Sequence, residues 1–159
     1  MTTPAAAYEV VAALVERGET LATAESLSAG ELAATIADVP GASAVLRGGL
    51  VVYAVDLKAS LAGVSEQVLA EHGPVHPDVA AQLADGARSR CGATWGIGTT
   101  GVAGPQPHGG SAAGTVYLGL SGPSVRLARL CTLRGGRAEV RSGTVDAALQ
   151  LLLHSLPAD

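Results

Sequence analysis

Apolar residues recur along the chain at two spacings, one typical of helices and one typical of buried strands. Near the N-terminus, apolar positions three and four residues apart predict a helix over residues 5–17 that ends at Gly18. The face that this helix would bury consists of Ala6, Val10, Val11, Leu14 and Val15. A short apolar run over 21–24 then predicts a strand, followed by a tight loop and a helix that extends to about residue 37.

The rest of the chain continues this alternation of strands and helices. Residues 50–53 are apolar and β-branched and predict a second, buried strand that ends at Tyr53. The remaining predicted elements are helices over 56–61, 65–72, 77–90 and about 137–156, and strands over 94–99, 115–120 and 125–133. Because helices both precede and follow near-continuous apolar strands, we expect the sheet to be covered on both faces. We therefore predict an α/β fold, a three-layer α/β/α sandwich with a mixed central sheet, in a single domain over residues 1–159.

Composition agrees with one self-sufficient domain. The chain has 159 residues, of which 48% are hydrophobic and 15% charged. This length is enough to bury a substantial core without metals or disulfides. Phenylalanine is absent and aromatic residues make up 3%, so we expect a core of Leu, Val, Ile and Ala in closely packed layers.

Charge and cysteine usage exclude several classes of function. The formal net charge of −4, with no long basic stripe, argues against a nucleic-acid partner. The first apolar stretch lacks a basic leader and contains Glu9 and Glu16, which predicts a surface helix and a cytoplasmic protein. Residues 91–125 carry no charge, but their glycines and prolines indicate buried strands and a loop, not a membrane span. Cys91 and Cys131 lack zinc-site spacing and are expected to be buried thiols in a reducing compartment.

Lys58 is the most informative single residue, because it is the only lysine and every other basic residue is arginine. Arginine does not deprotonate in proteins, whereas burial or a neighbouring cation can bring the pKa of a lysine to roughly 7–8 and make it a base. Tyr53 precedes Lys58 by five residues, so both side chains reach one sheet edge if the chain turns between them. The alternatives are a surface lysine and a core tyrosine with a satisfied hydroxyl.

Ser26 is the candidate nucleophile, because it lies between a predicted strand and a predicted helix N-terminus. Unpaired backbone N–H groups at such a turn could receive an oxyanion. Serine activated by lysine, with tyrosine as a proton relay, is a known solution for acyl transfer without histidine. The alternative is that Ser26 or Ser28 caps the helix; Ser28 has capping-box spacing with Glu31, which would leave Ser26 free.

Two further features suggest an anion. Residues 98–105 form a glycine-rich loop after a strand, as needed where backbone amides approach a phosphate, although such loops are often simple turns. Arg134, Arg137 and Arg141 cluster at the start of the last helix, where cations are unfavourable unless an anion or a carboxylate such as Glu139 lies nearby. No metal site is predicted, because no ligand spacing is found among His72, His76, His108 and His154.

Six segments together resemble the C-terminal domain family of the competence/damage-inducible protein CinA. They are TAESLSAG (23–30), DVPGASAVLRGGLVVYAVDLK (38–58), HGPV (72–75), TGVAGP (100–105), GTVYLGL (114–120) and RGGRAEVR (134–141). The resemblance is collinear from about residue 8 to 153. Standalone members of that family are nicotinamide-nucleotide amidases.

The resemblance implies hydrolysis of nicotinamide mononucleotide to nicotinic acid mononucleotide and ammonia, without metal or cofactor. It implies that Ser26 attacks the amide carbonyl, Lys58 takes its proton, and Tyr53 orients Lys58 and relays a proton to the leaving ammonia. We assign the binding of the 5′-phosphate to Arg137 and Arg141, on the basis of their position in the chain. Together, the expected substrate-binding residues are Glu25, Ser28, Thr100, Gly101, Gly104, Arg137 and Arg141.

The chain departs from the family pattern at three places. Family members usually have Asn two residues after the tyrosine, whereas this chain has Val55. They usually have Ser directly after HGxV, whereas this chain has His76. An acidic-Lys-Pro stretch usually precedes GTV, where it has residues 109–113. These changes leave open a slower amidase, an amidase of a different small substrate, or a non-catalytic nucleotide- or partner-binding module on the same scaffold. We also expect a homo-oligomer.

Overall fold

A computed structural model describes residues 2–158, in which six α-helices surround one five-stranded sheet. The helices are α1 (Ala5–Arg17), α2 (Glu31–Ala37), α3 (Val55–Ser60), α4 (Glu66–His72), α5 (Pro77–Cys91) and α6 (Arg137–Ser155). The strands are β1 (Leu21–Glu25), β2 (Leu46–Val51), β3 (Trp95–Gly101), β4 (Thr115–Ser121) and β5 (Arg126–Thr132). Within the described range, no helix combines the length and apolar character needed to cross a membrane.

The sheet has the strand order β2-β1-β3-β4-β5 and is mixed, as predicted. Strand β1 runs parallel to both β2 and β3, whereas β4 is antiparallel to β3 and β5. The carboxyl ends of the three parallel strands therefore meet at one edge, and such edges are where open α/β sheets form sites. The segments that leave this edge begin at Ser26, Val52 and Val102.

Two apolar clusters, one on each face of the sheet, confirm the three-layer sandwich. One cluster joins α1, α2 and α6 to the sheet and includes Leu14, Ile36 and Leu152. The other joins α5 to the opposite face and includes Val79 and Leu83. Both faces of the sheet are thus covered by buried apolar side chains, as the near-continuous apolar strands predicted.

Helix α5 packs unusually close to the sheet, which explains the small side chains there. A Cβ atom at Gly96 would collide with the backbone of Ala84, and one at Gly98 or Gly119 would collide with the backbone of Ala80. Only glycine permits this spacing, so the glycine content of β3 and β4 reflects close packing of a helix.

Strand β2 differs from the prediction of a buried strand over 50–53. It starts at Leu46, ends before Tyr53, and alternates half-buried with exposed positions. It lies at the edge of the sheet and, among the described strands, pairs with β1 alone, which leaves part of it in solvent. Gly48 and Gly49 both lie inside this strand. A Cβ at Gly49 would come within 2.6 Å of Thr23 Oγ1, so the position requires glycine. Gly49 therefore marks close packing, whereas a Cβ at Gly48 would lie at an ordinary van der Waals distance of 3.6 Å from Cys91 Sγ.

The capping prediction for Ser28 was wrong. The N-cap of α2 is Gly30, with a φ of 91° and no side-chain capping bond. The carboxylate of Glu25 instead accepts hydrogen bonds from the backbone N–H groups of Leu32 (2.9 Å) and Ala33 (3.1 Å). A full negative charge at a helix N-terminus, bonded to two N–H groups, competes better for that position than a neutral hydroxyl.

Three apolar side chains are more exposed than the sequence suggested. Val15, placed on the buried face of α1, is 49% exposed. Cys91 and Cys131 are free thiols, as expected, but both are half-buried. Burial raises the pKa of the Cys131 thiol, and the Arg129 charge partly offsets that rise.

Candidate active site

A cavity of about 510 Å³ opens at the edge where the parallel strands end. Its wall comes from five parts of the chain, namely residues 26–27, 53–55 with 58, 74–75, 100–108 and 137. The predicted residues Ser26, Lys58, Tyr53 and Thr100 all contribute to this wall. Residues far apart in sequence thus meet in one cavity.

Lys58 is not a surface residue. Its side chain is 1% exposed, and Nζ donates hydrogen bonds to the main-chain oxygens of Val52 (2.9 Å) and Tyr53 (3.0 Å). Within residues 2–158 no carboxylate forms an ion pair with this amine. Burial lowers the pKa of Lys58 from 10.5 to about 8, because desolvation penalises the ammonium form.

The two carbonyls also orient the amine. A neutral amine has two N–H bonds and one lone pair, and both N–H bonds are needed to satisfy the oxygens of Val52 and Tyr53. The lone pair must then occupy the remaining tetrahedral position, away from both oxygens. Deprotonated Lys58 therefore keeps its hydrogen bonds and retains an available lone pair.

Ser26 follows β1 directly and its side chain is free. Its backbone N–H donates to the main-chain oxygen of Thr99 at 3.0 Å, which fixes the residue against β3. Its hydroxyl forms no hydrogen bond within residues 2–158, including none to Lys58 Nζ, and the residue is 8% exposed. Ser26 is therefore not a helix cap, and its hydroxyl is available to a ligand in the cavity.

Contacts on two sides hold the loop that carries Ser26. The Ser28 hydroxyl lies 2.7 Å from Thr99 Oγ1, and Arg141 donates to the main-chain oxygens of Leu27 and Ser28, each at 3.0 Å. Glu31 lies 3.5 Å from the same guanidinium. The Leu27 N–H, next to Ser26, donates to no group in the described part of the chain.

The predicted substrate-binding residues divide into two groups. Thr100, Gly101, Gly104 and Arg137 line the cavity, whereas Glu25, Ser28 and Arg141 do not. The buried Glu25 carboxylate caps α2, and the Arg141 guanidinium is engaged by the loop carbonyls and Glu31. These three residues support the Ser26 loop from outside the cavity. Of the other arginine candidates, Arg134 is exposed and lies outside the wall.

The Tyr53 side chain is exposed at the cavity, and its hydroxyl forms its hydrogen bond with Arg137 instead of the Lys58 amine. It is 54% exposed, and its hydroxyl accepts a hydrogen bond from Arg137 Nη2 at 2.7 Å. Arg137 Nη1 donates to the main-chain oxygen of Gly104 at 2.8 Å. Arg137 thus bridges two sides of the cavity, and Lys58 contacts Tyr53 through the main chain alone.

The charge of the cavity is opposite to that of the whole chain. No aspartate or glutamate is among the described residues of the wall, whereas Lys58 and Arg137 are. Despite the net charge of −4, the cavity is suited to a ligand that carries negative charge.

Sequence reasoning gave no role to the turn before α5 or to the end of the glycine loop. Pro74 and Val75 line the cavity, and the Pro74 oxygen accepts a 2.6 Å hydrogen bond from the Thr100 hydroxyl. The HGPV segment (72–75) is the sequence pattern that marks this turn, but its two wall residues, Pro74 and Val75, carry no charged or reactive side chain. His108, for which the sequence predicted neither a metal nor a substrate role, also lines the cavity.

Comparison with known proteins gives consistent matches. The model of the CinA C-terminal domain family matches residues 4–156. A CinA-like protein of Frankia casuarinae is 49% identical over 147 residues, which is 92% of this chain and 34% of the relative. A putative competence-damage inducible protein of Desulforamulus reducens is 41% identical over 143 residues, 90% of this chain and 35% of the relative. The chain therefore spans about a third of the length of these curated relatives.

Solved structures have the same fold over nearly their full length. A CinA superfamily protein from Escherichia coli superposes with a TM-score of 0.94 at 28% identity, covering 98% of this chain and 91% of that one. A competence/damage inducible protein from Agrobacterium tumefaciens superposes with a TM-score of 0.87 at 30% identity, covering 97% and 98%.

Proposed function

The chain belongs to the CinA C-terminal domain family, and from this premise we propose that it is an amidase that hydrolyses the carboxamide of nicotinamide mononucleotide. One observation carries the proposal. The only lysine is buried, has a pKa lowered to about 8, and shares a cavity with a serine hydroxyl that has no hydrogen-bond partner in residues 2–158. A buried amine without a counter-ion is costly to keep, and a catalytic base is a sufficient reason to keep it.

The acylation step uses the two side chains in turn. Neutral Lys58 accepts the hydroxyl proton of Ser26 as Ser26 Oγ attacks the amide carbon, which gives a tetrahedral intermediate and an ammonium at Lys58. The Leu27 N–H, which has no acceptor in residues 2–158 and belongs to a residue of the cavity wall, is our candidate donor for the oxyanion. Lys58 then passes the proton to the amide nitrogen, the C–N bond breaks, and ammonia leaves.

The second step restores the enzyme. A water molecule attacks the Ser26 ester and gives its proton to Lys58. Collapse of the second intermediate breaks the ester bond, releases the carboxylic acid and returns a proton to Ser26. Because the two side chains are not hydrogen-bonded to each other, rotation of the Ser26 hydroxyl or a bridging water must connect them.

The substrate class is supported by the charge and the surface of the cavity. A 5′-phosphate matches the absence of acidic residues in the wall and the guanidinium of Arg137. The exposed ring of Tyr53 offers an aromatic face to the pyridinium cation of the nucleotide. We assign the phosphate to Arg137 alone, since Arg141 is engaged elsewhere.

The test is ammonia release from nicotinamide mononucleotide by the purified chain in the presence of a chelator. We expect Ser26→Ala and Lys58→Met each to lower kcat by at least about a thousandfold. Ser60→Ala, an exposed serine in α3 outside the cavity wall, is the matched control and should keep full activity. Wild-type turnover by both site variants would refute the assigned roles.

A second candidate is a nucleotide-binding module that does not catalyse the reaction. It is favoured by Val55, which lies in the cavity wall where the resemblance led us to expect asparagine. Calorimetry distinguishes the two proposals. Binding of nicotinamide mononucleotide without any product during long incubation at high protein concentration would favour the module.

We also propose that the chain forms a homo-oligomer in the cytoplasm. The edge strands β2 and β5 each pair on one side only within residues 2–158, so each retains a free edge. Light scattering of the purified chain tests the oligomeric state, and a monomer at all concentrations would contradict it.

A further inference from the structure

Two histidines that the sequence leaves unassigned meet at the junction of α4 and α5. His72 ends α4 and His76 is the N-cap of α5. Their rings are stacked, with centroids 4.1 Å apart and planes within 8° of parallel. Gly73, with a φ of 74°, lets the chain reverse between the two helices and bring the rings together.

A carboxylate completes the cluster. Asp78 lies in the first turn of α5, and the ligand atoms of His72, His76 and Asp78 are all within 4.8 Å of one another. Two imidazoles and one carboxylate are a donor set suited to Zn²⁺, Ni²⁺ or Cu²⁺. We propose that His72, His76 and Asp78 form a binding site for a divalent transition-metal ion.

The cluster needs a small rearrangement to hold the ion. Metal–nitrogen bonds of about 2.0–2.1 Å require ligand atoms roughly 3 Å apart, so the three groups must move closer. The lone pairs of parallel rings lie in parallel planes, so one ring must turn toward the other. His72 is free to do so, because its side chain is 40% exposed and its nearest charged partner, Glu71 Oε2, is 3.8 Å away.

His76 sets a limit on the affinity. Its Nδ1 accepts a 3.2 Å hydrogen bond from the Asp78 N–H, and this bond is lost if Nδ1 becomes a ligand or carries a proton. Competition with the helix cap therefore favours a micromolar site over a tight structural one.

The site lies outside the cavity but adjoins its wall. His72, His76 and Asp78 are not among the wall residues, whereas Pro74 and Val75, between the two histidines, are. An ion that draws the histidines together would tighten this turn, whose Pro74 oxygen binds the Thr100 hydroxyl. The proposal concerns metal binding and does not depend on the amidase reaction, for which we still expect no metal.

The test is calorimetric titration of the untagged chain with Zn²⁺ and Ni²⁺. We expect one ion per chain, with affinity reduced at least about tenfold by His72→Gln and by His76→Ser. Serine is itself a good N-cap, so His76→Ser removes the ligand while preserving the start of α5. His154→Gln, an exposed histidine at the end of α6, is the matched control and should bind as the wild type does.

Two outcomes would overturn the proposal. One is the absence of saturable binding by either ion. The other is binding that survives both His72→Gln and His76→Ser, or that disappears when Cys91 and Cys131 are replaced by serine, since the ion would then lie on other groups.

Discussion

Replacing Lys58 by methionine should make the stability of this domain respond differently to pH. The substitution removes the buried amine and keeps most of the side-chain volume. It also leaves the main-chain oxygens of Val52 and Tyr53 without their donor. The loss of these hydrogen bonds costs stability by a similar amount at every pH, whereas the cost of burying an ammonium depends on pH.

The size of the pH-dependent part follows from the pKa of Lys58. Burial lowers that pKa from 10.5 to about 8, so the unfolded chain binds the proton more tightly than the folded one. Below about pH 8 both states carry the charge, and the folded wild type bears the full penalty. Between pH 8 and 10.5 the folded state becomes neutral first, and the wild type gains about 3 kcal/mol relative to Lys58→Met.

Urea unfolding of both proteins between pH 7 and 10.5 measures this change. Trp95, the only tryptophan, is 1% exposed and reports on the core by its fluorescence. Titration of all other groups cancels in the difference between the two proteins. A difference in unfolding free energy that stays constant across this pH range would refute the lowered pKa of the buried Lys58 on which the mechanism depends.

Two other substitutions test the supports of the site. Arg141→Gln removes the guanidinium that holds the main-chain oxygens of Leu27 and Ser28. We therefore expect steady-state kinetics to show a fall in kcat of about ten- to a hundredfold with KM nearly unchanged. A rise in KM alone would instead indicate that Arg141 contacts the substrate. Gly98→Ala places a Cβ against the main-chain oxygen of Ala80. We therefore expect urea titration to show a loss of about 3 kcal/mol in the free energy of unfolding. A loss below about 1 kcal/mol would contradict the close packing of α5 against the sheet.

The order of helices and strands could be predicted from the sequence, because it follows from local patterns. Helix α5 has proline in its first turn and Gly92 as its C-cap, two signals of a helix start and end that can be read in the sequence. Strand β2 could not be predicted as well, because its position at the edge of the sheet depends on pairing with β1. Glycine marks turns at other positions of the chain but close packing at Gly49, and the sequence alone does not distinguish a turn from close packing.

Residues of the candidate site could be predicted where the residue type is rare in the chain. They could not be predicted where a role depends on contacts between distant parts of the chain. Lys58 was identified because lysine occurs once, but its partners are main-chain oxygens, which leave no side-chain signature. Arg141 was assigned to phosphate from its position in the chain, since its contact with the Ser26 loop spans more than a hundred residues and leaves no local pattern. Glu25 caps α2 in place of Ser28, whose hydroxyl contacts Thr99 of the neighbouring strand, and both contacts depend on tertiary structure that no local pattern shows.

The depth of each cationic side chain in the cavity fixes how the proposed substrate lies there. Lys58 is buried and Arg137 is exposed, so the neutral carboxamide must lie at the inner end and the phosphate at the rim. This orientation brings the pyridinium cation closer to Lys58 than the phosphate, and a nearby cation favours the neutral amine. The acid limb of kcat/KM, which reports the free enzyme, should therefore lie near pH 8, and that of kcat should lie lower. Profiles of both parameters between pH 6 and 9.5 measure the two limbs, and a kcat limb at or above that of kcat/KM would place the phosphate beside Lys58 and reverse the orientation.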